Sequence, residues 1–269
     1  MTEKPSKTAG RFASLARWEL EKTFTFATLA IIIAVVLYIT VPATYGGSSS
    51  PSQIPSLESL IERFASSWTR SWSYKVSGFF MYGAFIFSAL ASNSLSRDMS
   101  RGYMRVLLSY PIGRTKFLLS KILVLLFVPF SVFMCCLLFV AALVFPGLFW
   151  HMKASSVAYM MLVSLVQMLF MLAVSLSTSL HIRQPVMSFL ASVVTLIAME
   201  QMGLYLVAPY KYLLPTSSTM ILMDYHFSQY MFGSYYSYND LTMALFGMTV
   251  IPAVLLVLDV IYFKSRFET

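Results

Sequence analysis

Apolar residues follow one another along most of this chain in runs of about twenty or more, with none of the short alternating pieces of a soluble core. A bilayer core about 30 Å thick needs roughly 20 helical residues at about 1.5 Å each. Six stretches meet that need: Thr23 to Tyr45, Gly78 to Leu95, Phe117 to Phe145, Ala154 to Leu180, Pro185 to Ala208 and Leu241 to Phe263. The second is short, and the third is long enough to tilt or to project beyond the lipid. The pattern predicts an all-α membrane protein with six transmembrane helices in a single domain, residues 1–269. Residues 46–77 and 209–240 are external loops, and residues 96–116 a cytoplasmic one.

Shorter periodicities fall between the spans. Within residues 1–22, Phe12, Leu15, Ala16 and Leu20 share one side of a helix while Arg11, Arg17, Glu21 and Lys22 lie on the other, which predicts an amphipathic helix on the membrane surface. Glu19 falls inside the apolar sector. Either it turns to water, or it takes a basic partner, for which the cytoplasmic loop offers several. On the opposite side, Ser59 and Glu62 have capping-box spacing beside the stripe Leu57, Leu60, Ile61, Phe64 and Trp68, so a short surface helix is expected, with or without a partner resting on it.

Composition agrees with lipid as the solvent: 58% of residues are hydrophobic and 11% charged, against about 25% charged in an ordinary soluble domain. The net charge of +8 raises the question of nucleic acid, but the nineteen Lys and Arg flank the apolar runs instead of forming a groove, which argues against it. Their distribution orients the chain. Fourteen lie in the segments before span one, between spans two and three, between spans four and five, and after span six; five lie in the opposite set. The excess of positive charge places both termini and the loop Arg97 to Lys121 in the cytoplasm of a cell membrane. The polar start, Met1 to Gly10, lacks the features of a removable signal, so the first span is expected to be retained. Cys135 and Cys136 sit side by side in an apolar run and read as small hydrophobes.

The loop between spans two and three carries the most distinctive text, running from Arg97-Asp98-Met99-Ser100-Arg101-Gly102 through Arg105, Leu107, Leu108, Ser109, Pro111 and Arg114 to Ser120-Lys121. Two adjacent leucines are costly to expose, and Pro111-Ile112-Gly113 supplies a turn, so a short helix that docks and turns back is expected. This pattern resembles the permease subunits of type 2 ATP-binding cassette (ABC) exporters, whose loop reads as an acid, a Gly, Leu-Leu-Ser-x-Pro-x-x-Arg and a Lys at the next helix; Asp98, Gly102, Leu107, Leu108, Ser109, Pro111, Arg114 and Lys121 match it. Asp98 stands where that family usually has Glu, and the loop from Gly46 to Lys75 is longer than in its minimal members.

The resemblance implies a coupling helix that seats in an ATPase subunit, with contacts from Arg97, Asp98, Arg101, Gly102, Arg105, Leu107, Leu108, Pro111 and Arg114. It also implies two such ATPase subunits, a second permease copy or paralogue, and lipid as partners. ATP and magnesium would then be bound by the ATPase subunits and no cofactor by this chain, and short re-entrant helices would lie between spans five and six. The text Met202 to Pro215 independently suits such a turn-back, being too apolar for a solvated loop and broken by Gly203, Pro209 and Pro215.

Glu200 lies about 22 Å into span five, where an acid must face protein or water. It and Gln201 either cap the re-entrant break or serve an outer gate. Asp259 near Lys264 reads as a snorkelling acid. The polar face of span four, Ser164, Gln167, Ser175, Ser177 and Thr178, either packs helices or lines a path. An intramembrane enzyme is disfavoured: His151, His181 and His226 are scattered, and no His-Glu-x-x-His run occurs. No Gly-x-x-x-x-Gly-Lys-Ser/Thr phosphate loop occurs either, so ATP hydrolysis is expected on a partner chain. The alternative is a secondary transporter or a membrane scaffold subunit without an ATPase.

Overall fold

Caps and helix breakers, more than the apolar runs themselves, decide where each helix starts and stops. The computed structural model describes residues 7–40, 80–103, 113–144, 154–207, 210–228 and 237–266, and every regular element among them is helical. Helix α1 spans Lys7–Thr23 and α2 spans Phe26–Thr40. They meet at a bend of 73°. Thr25 makes the break: its hydroxyl accepts the Thr28 N–H at 3.4 Å, an N-cap that starts α2 three residues later than the hydropathy places the first span. On α1, Leu15 is buried as expected, whereas Leu20 is 43% exposed and belongs to the outer side.

Helix α3 covers residues 80–100 and contains a π-turn at Ser92–Ser96, where the Arg97 N–H reaches back to the Ser92 carbonyl. It continues five residues past Leu95, the predicted end of the second span. Gly102, at φ 73°, then terminates it in the left-handed conformation that glycine adopts without penalty. Helix α4, Arg114–Val144, is 31 residues long, or about 46 Å against a lipid core of about 30 Å. A helix of that length either tilts or projects beyond the lipid.

Helices α5 (Ala154–His181) and α6 (Pro185–Tyr205) form an antiparallel pair across a three-residue turn, with Pro185 at the first helical position of α6. A 3-10 turn at Tyr210–Leu213 leads into α7, Pro215–Ser228. Helix α8, Tyr238–Arg266, opens on a reciprocal capping box in which Asp240 accepts the Ser237 N–H at 3.0 Å and Ser237 accepts the Asp240 N–H at 3.3 Å.

Helices α4, α5, α6 and α8 contain stretches long and apolar enough to cross a bilayer, and the bent α1–α2 pair makes a fifth if it counts as one span. The chain is thus an all-α, multi-pass membrane protein with four to five such spans among the described residues. The expected second span falls on α3, which the π-turn divides and which is described only from residue 80. The connector 46–55 and the expected surface helix at Leu57 to Trp68 lie outside the described residues.

Helix α5 is the axis of the bundle, packed by α4, α6, α7, α8 and the π-turn of α3. Met168, Phe170, Met171 and Leu172 on it are fully buried. Small hydroxyl residues let its neighbours approach closely. Ser175 meets Ser88 of α3 at 3.4 Å, Ser179 meets Ser188 of α6 at 2.8 Å, and Thr178 bonds Ser192. Ser96 donates to the carbonyls of Ser179 and Ile182 at 3.0 and 2.9 Å, tying the π-turn to the end of α5. Of the polar face, Ser175 and Thr178 are thus packing contacts.

Asp259 departs from its expected place. It is 2% exposed and faces Ser177 and His181 on α5, because five residues of helix turn it about 140° from the exposed Lys264.

Candidate functional site

Three helices bring charges of both signs to one buried point. Glu19 and Lys22 lie three residues apart on α1 and so share a side of it. Ser94 and Asp98 come from the π-turn of α3 and the helical turn after it. Lys121 comes from α4, about 10 Å along from its first residue. Glu19 and Asp98 are each 1% exposed and Lys121 is 0% exposed.

Lys121 Nζ is the hub. It donates to Glu19 Oε2 at 2.7 Å, Ser94 Oγ at 2.9 Å, the Ser94 carbonyl at 3.1 Å and Asp98 Oδ2 at 3.1 Å. An ammonium has three protons, so four acceptors at these distances commit all of them. Glu19 Oε1 accepts from Thr23 at 3.0 Å and from Ser94, and Asp98 Oδ1 accepts from Lys22. All four carboxylate oxygens are thereby filled, and two cations balance two anions. Phe117 closes one side, its ring 5.1 Å from the ammonium.

A buried charge survives only when paired and hydrogen-bonded, and here both conditions hold. For Glu19, burial pushes the carboxyl up, but the charge and hydrogen bond of Lys121, the Ser94 hydroxyl and the charge of Lys22 together hold it below the usual carboxylate value. The structure therefore gives Glu19 a basic partner and does not turn it to water. Chemically the cluster is a clamp: it carries no nucleophile activated by a base, and it joins α1, α3 and α4 through charge.

The residues expected to touch an ATPase divide. Arg97 and Arg101 are exposed, and Arg114 is half-buried at the start of α4. Asp98, expected on a docking surface, faces the interior of the clamp, and Gly102 ends α3. Arg105, Leu107, Leu108 and Pro111 lie outside the described residues. At the other end of the bundle Glu200 accepts a hydrogen bond from Thr216 in the first turn of α7, where the helix dipole favours an acid, while Gln201 is exposed. Glu200 thus joins α6 to α7.

Lys121 was visible in the sequence as the lysine opening the third span, and Lys22 as part of the polar face of α1, but neither stood out as a partner for the acids. The signal was present. A lone cation in an apolar helix, like a lone acid in an apolar sector, requires an opposite charge nearby. No family model matches this chain, and no curated protein matches it.

Proposed function

We propose that this chain is the permease subunit of a type 2 ABC exporter: six spans, both termini in the cytoplasm, and a coupling loop through which a separate ATPase moves the helices. The observation that carries the proposal is the clamp at the roots of that loop. Helix α3 ends at Gly102 and α4 begins at Arg114, and Asp98 and Lys121 join the two helices while Glu19 adds α1. A push on the loop is then delivered to three helices as one body. Removing one partner of such a buried pair costs about 3–5 kcal/mol, several times thermal energy, so the joint transmits motion without yielding.

The pattern of Leu107, Leu108 and Pro111, the basic flank and the missing phosphate loop support the same reading. In this mechanism two permeases, copies or paralogues, stand side by side over two ATPase subunits, which bind the nucleotide and magnesium. Closure of the ATPases rocks α1, α3 and α4 together and opens a path outward. The turn Tyr210–Leu213 and α7 form the re-entrant plug, with Glu200 and Gln201 at the outer gate.

Purification of the tagged chain from its native membrane in mild detergent tests the proposal. It should carry an ATPase bearing a phosphate loop in near-equal amount. Recovery without any ATPase, together with substrate movement that persists without ATP, contradicts it in favour of a secondary transporter.

A further inference from the structure

Beside the clamp, where α1 bends into α2, lies a cavity of about 320 Å³. Lys22, Arg97 and Arg101 line it with Thr25 and Thr28, together with Asp98, whose charge is already met by Lys22 and Lys121. We infer that this cavity is a binding site for a phosphate-bearing anion, supplied by the headgroup of an anionic phospholipid.

The charge count gives the sign of the ligand. Lys22 and Lys121 are balanced by Asp98 and Glu19, so the four-residue clamp is neutral. Arg97 and Arg101 make no ion pair among the described residues and leave two positive charges at the cavity. The first turn of α2, capped by Thr25, presents its N-terminus to the same space through Thr28, and the partial positive charge there adds to the arginines. Guanidinium forks, with the one hydroxyl proton that the Thr25–Thr28 hydrogen bond leaves free, suit the several oxygens of a phosphate better than the two of a carboxylate.

Place gives the source. Ile31, 62% exposed, lies three residues beyond the cavity-lining Thr28 and so shares its side of α2, which carries apolar surface on from the cavity. Trp18 on α1, 39% exposed with Lys22 Nζ 4.7 Å from its ring centre, marks the polar–apolar boundary. A ligand with a phosphate at one end and acyl chains at the other matches both features. The lipid would sit against the joint that holds the proposed coupling loop, so anionic lipid would stiffen it. The binding itself does not require the transport reading, and it is measured on the chain without an ATPase.

The chain is incorporated into vesicles of equal phosphatidylglycerol and phosphatidylcholine, extracted, and weighed by native mass spectrometry with its retained lipids. Wild type should retain phosphatidylglycerol over phosphatidylcholine. Each basic residue near a membrane surface contributes about fivefold in affinity, so the pair Arg97→Gln and Arg101→Gln should weaken phosphatidylglycerol binding about 30-fold. Lys116→Gln, an exposed charge on α4, should leave it unchanged. Failure of inorganic phosphate to displace the lipid assigns the site to a headgroup; displacement assigns the same phosphate chemistry to a soluble anion. Thermal midpoints of both proteins establish that they are folded, and Arg97→Lys with Arg101→Lys, which keeps the charge without the fork, should restore binding in part. Equal retention of the two lipids by wild type, or undiminished phosphatidylglycerol on the doubly neutralised chain, overturns the inference.

Discussion

Replacing Lys121 by Met keeps an unbranched side chain one atom shorter and removes the ammonium with its charge and its hydrogen-bond donors, which makes it the sharpest probe of the clamp. In the variant Asp98 keeps Lys22, but Glu19 keeps only the hydroxyls of Thr23 and Ser94 around a carboxylate that is 1% exposed. An uncompensated buried charge of this kind costs about 3–5 kcal/mol. At about 2–4 °C per kcal/mol for a chain of this size, the thermal midpoint in detergent should fall by roughly 6 to 20 °C. Lys116→Met, which removes an exposed lysine from the same helix, should shift it by no more than about 2 °C. The double variant Glu19→Gln with Lys121→Met removes the stranded charge and should be more stable than Lys121→Met alone. That sign separates charge pairing from simple loss of packing. A Lys121→Met midpoint within about 2 °C of wild type, or strictly additive losses in the double variant, would refute the reasoning.

Two further outcomes follow from the same structure. Because Glu19 titrates below its ordinary value of 4.5 when folded, its contribution to stability is fully present above that value and is lost as pH falls through the lowered one. Thermal scans from about pH 6 down to pH 3 should show a loss of midpoint that is smaller in Glu19→Gln, and parallel curves would contradict it. Gly247 on α8 lies so close to the 3-10 turn that an added Cβ would stand 2.5 Å from the Leu213 carbonyl oxygen. Gly247→Ala should therefore cost about 1–3 kcal/mol, or roughly 2 to 12 °C. Gly113→Ala, whose Cβ would meet only the Lys116 side chain at 3.9 Å, should not; equal midpoints for the two would show that the turn yields freely.

The apolar runs made the long helices legible, since a stretch such as Phe117 to Phe145 has no other stable form in lipid. Their ends were less so. The N-cap at Thr25 and the capping box of Ser237 and Asp240 lie in polar text that hydropathy passes over. The π-turn was hidden for a different reason: one extra residue in a helical turn leaves no compositional trace, yet it places Ser94 and Asp98 together opposite Lys121. Glu19 was legible as an acid in need of a partner, but which cation answered it depended on how three helices pack. Asp259 misled because proximity along the chain suggested Lys264, whereas helical rotation turned it to α5.

In the proposed transport cycle the loop between α3 and α4 receives force from an ATPase and passes it through the clamp. The most direct measurement is ATP hydrolysis by the purified complex, reconstituted in lipid, with Arg101→Glu and Leu108→Asp together at the loop and Lys121→Met at the clamp. The loop pair should release the ATPase, whereas Lys121→Met, assayed below its lowered midpoint, should keep the ATPase bound but uncouple hydrolysis from transport. Binding and stimulation that survive the loop pair unchanged would contradict the proposed cycle.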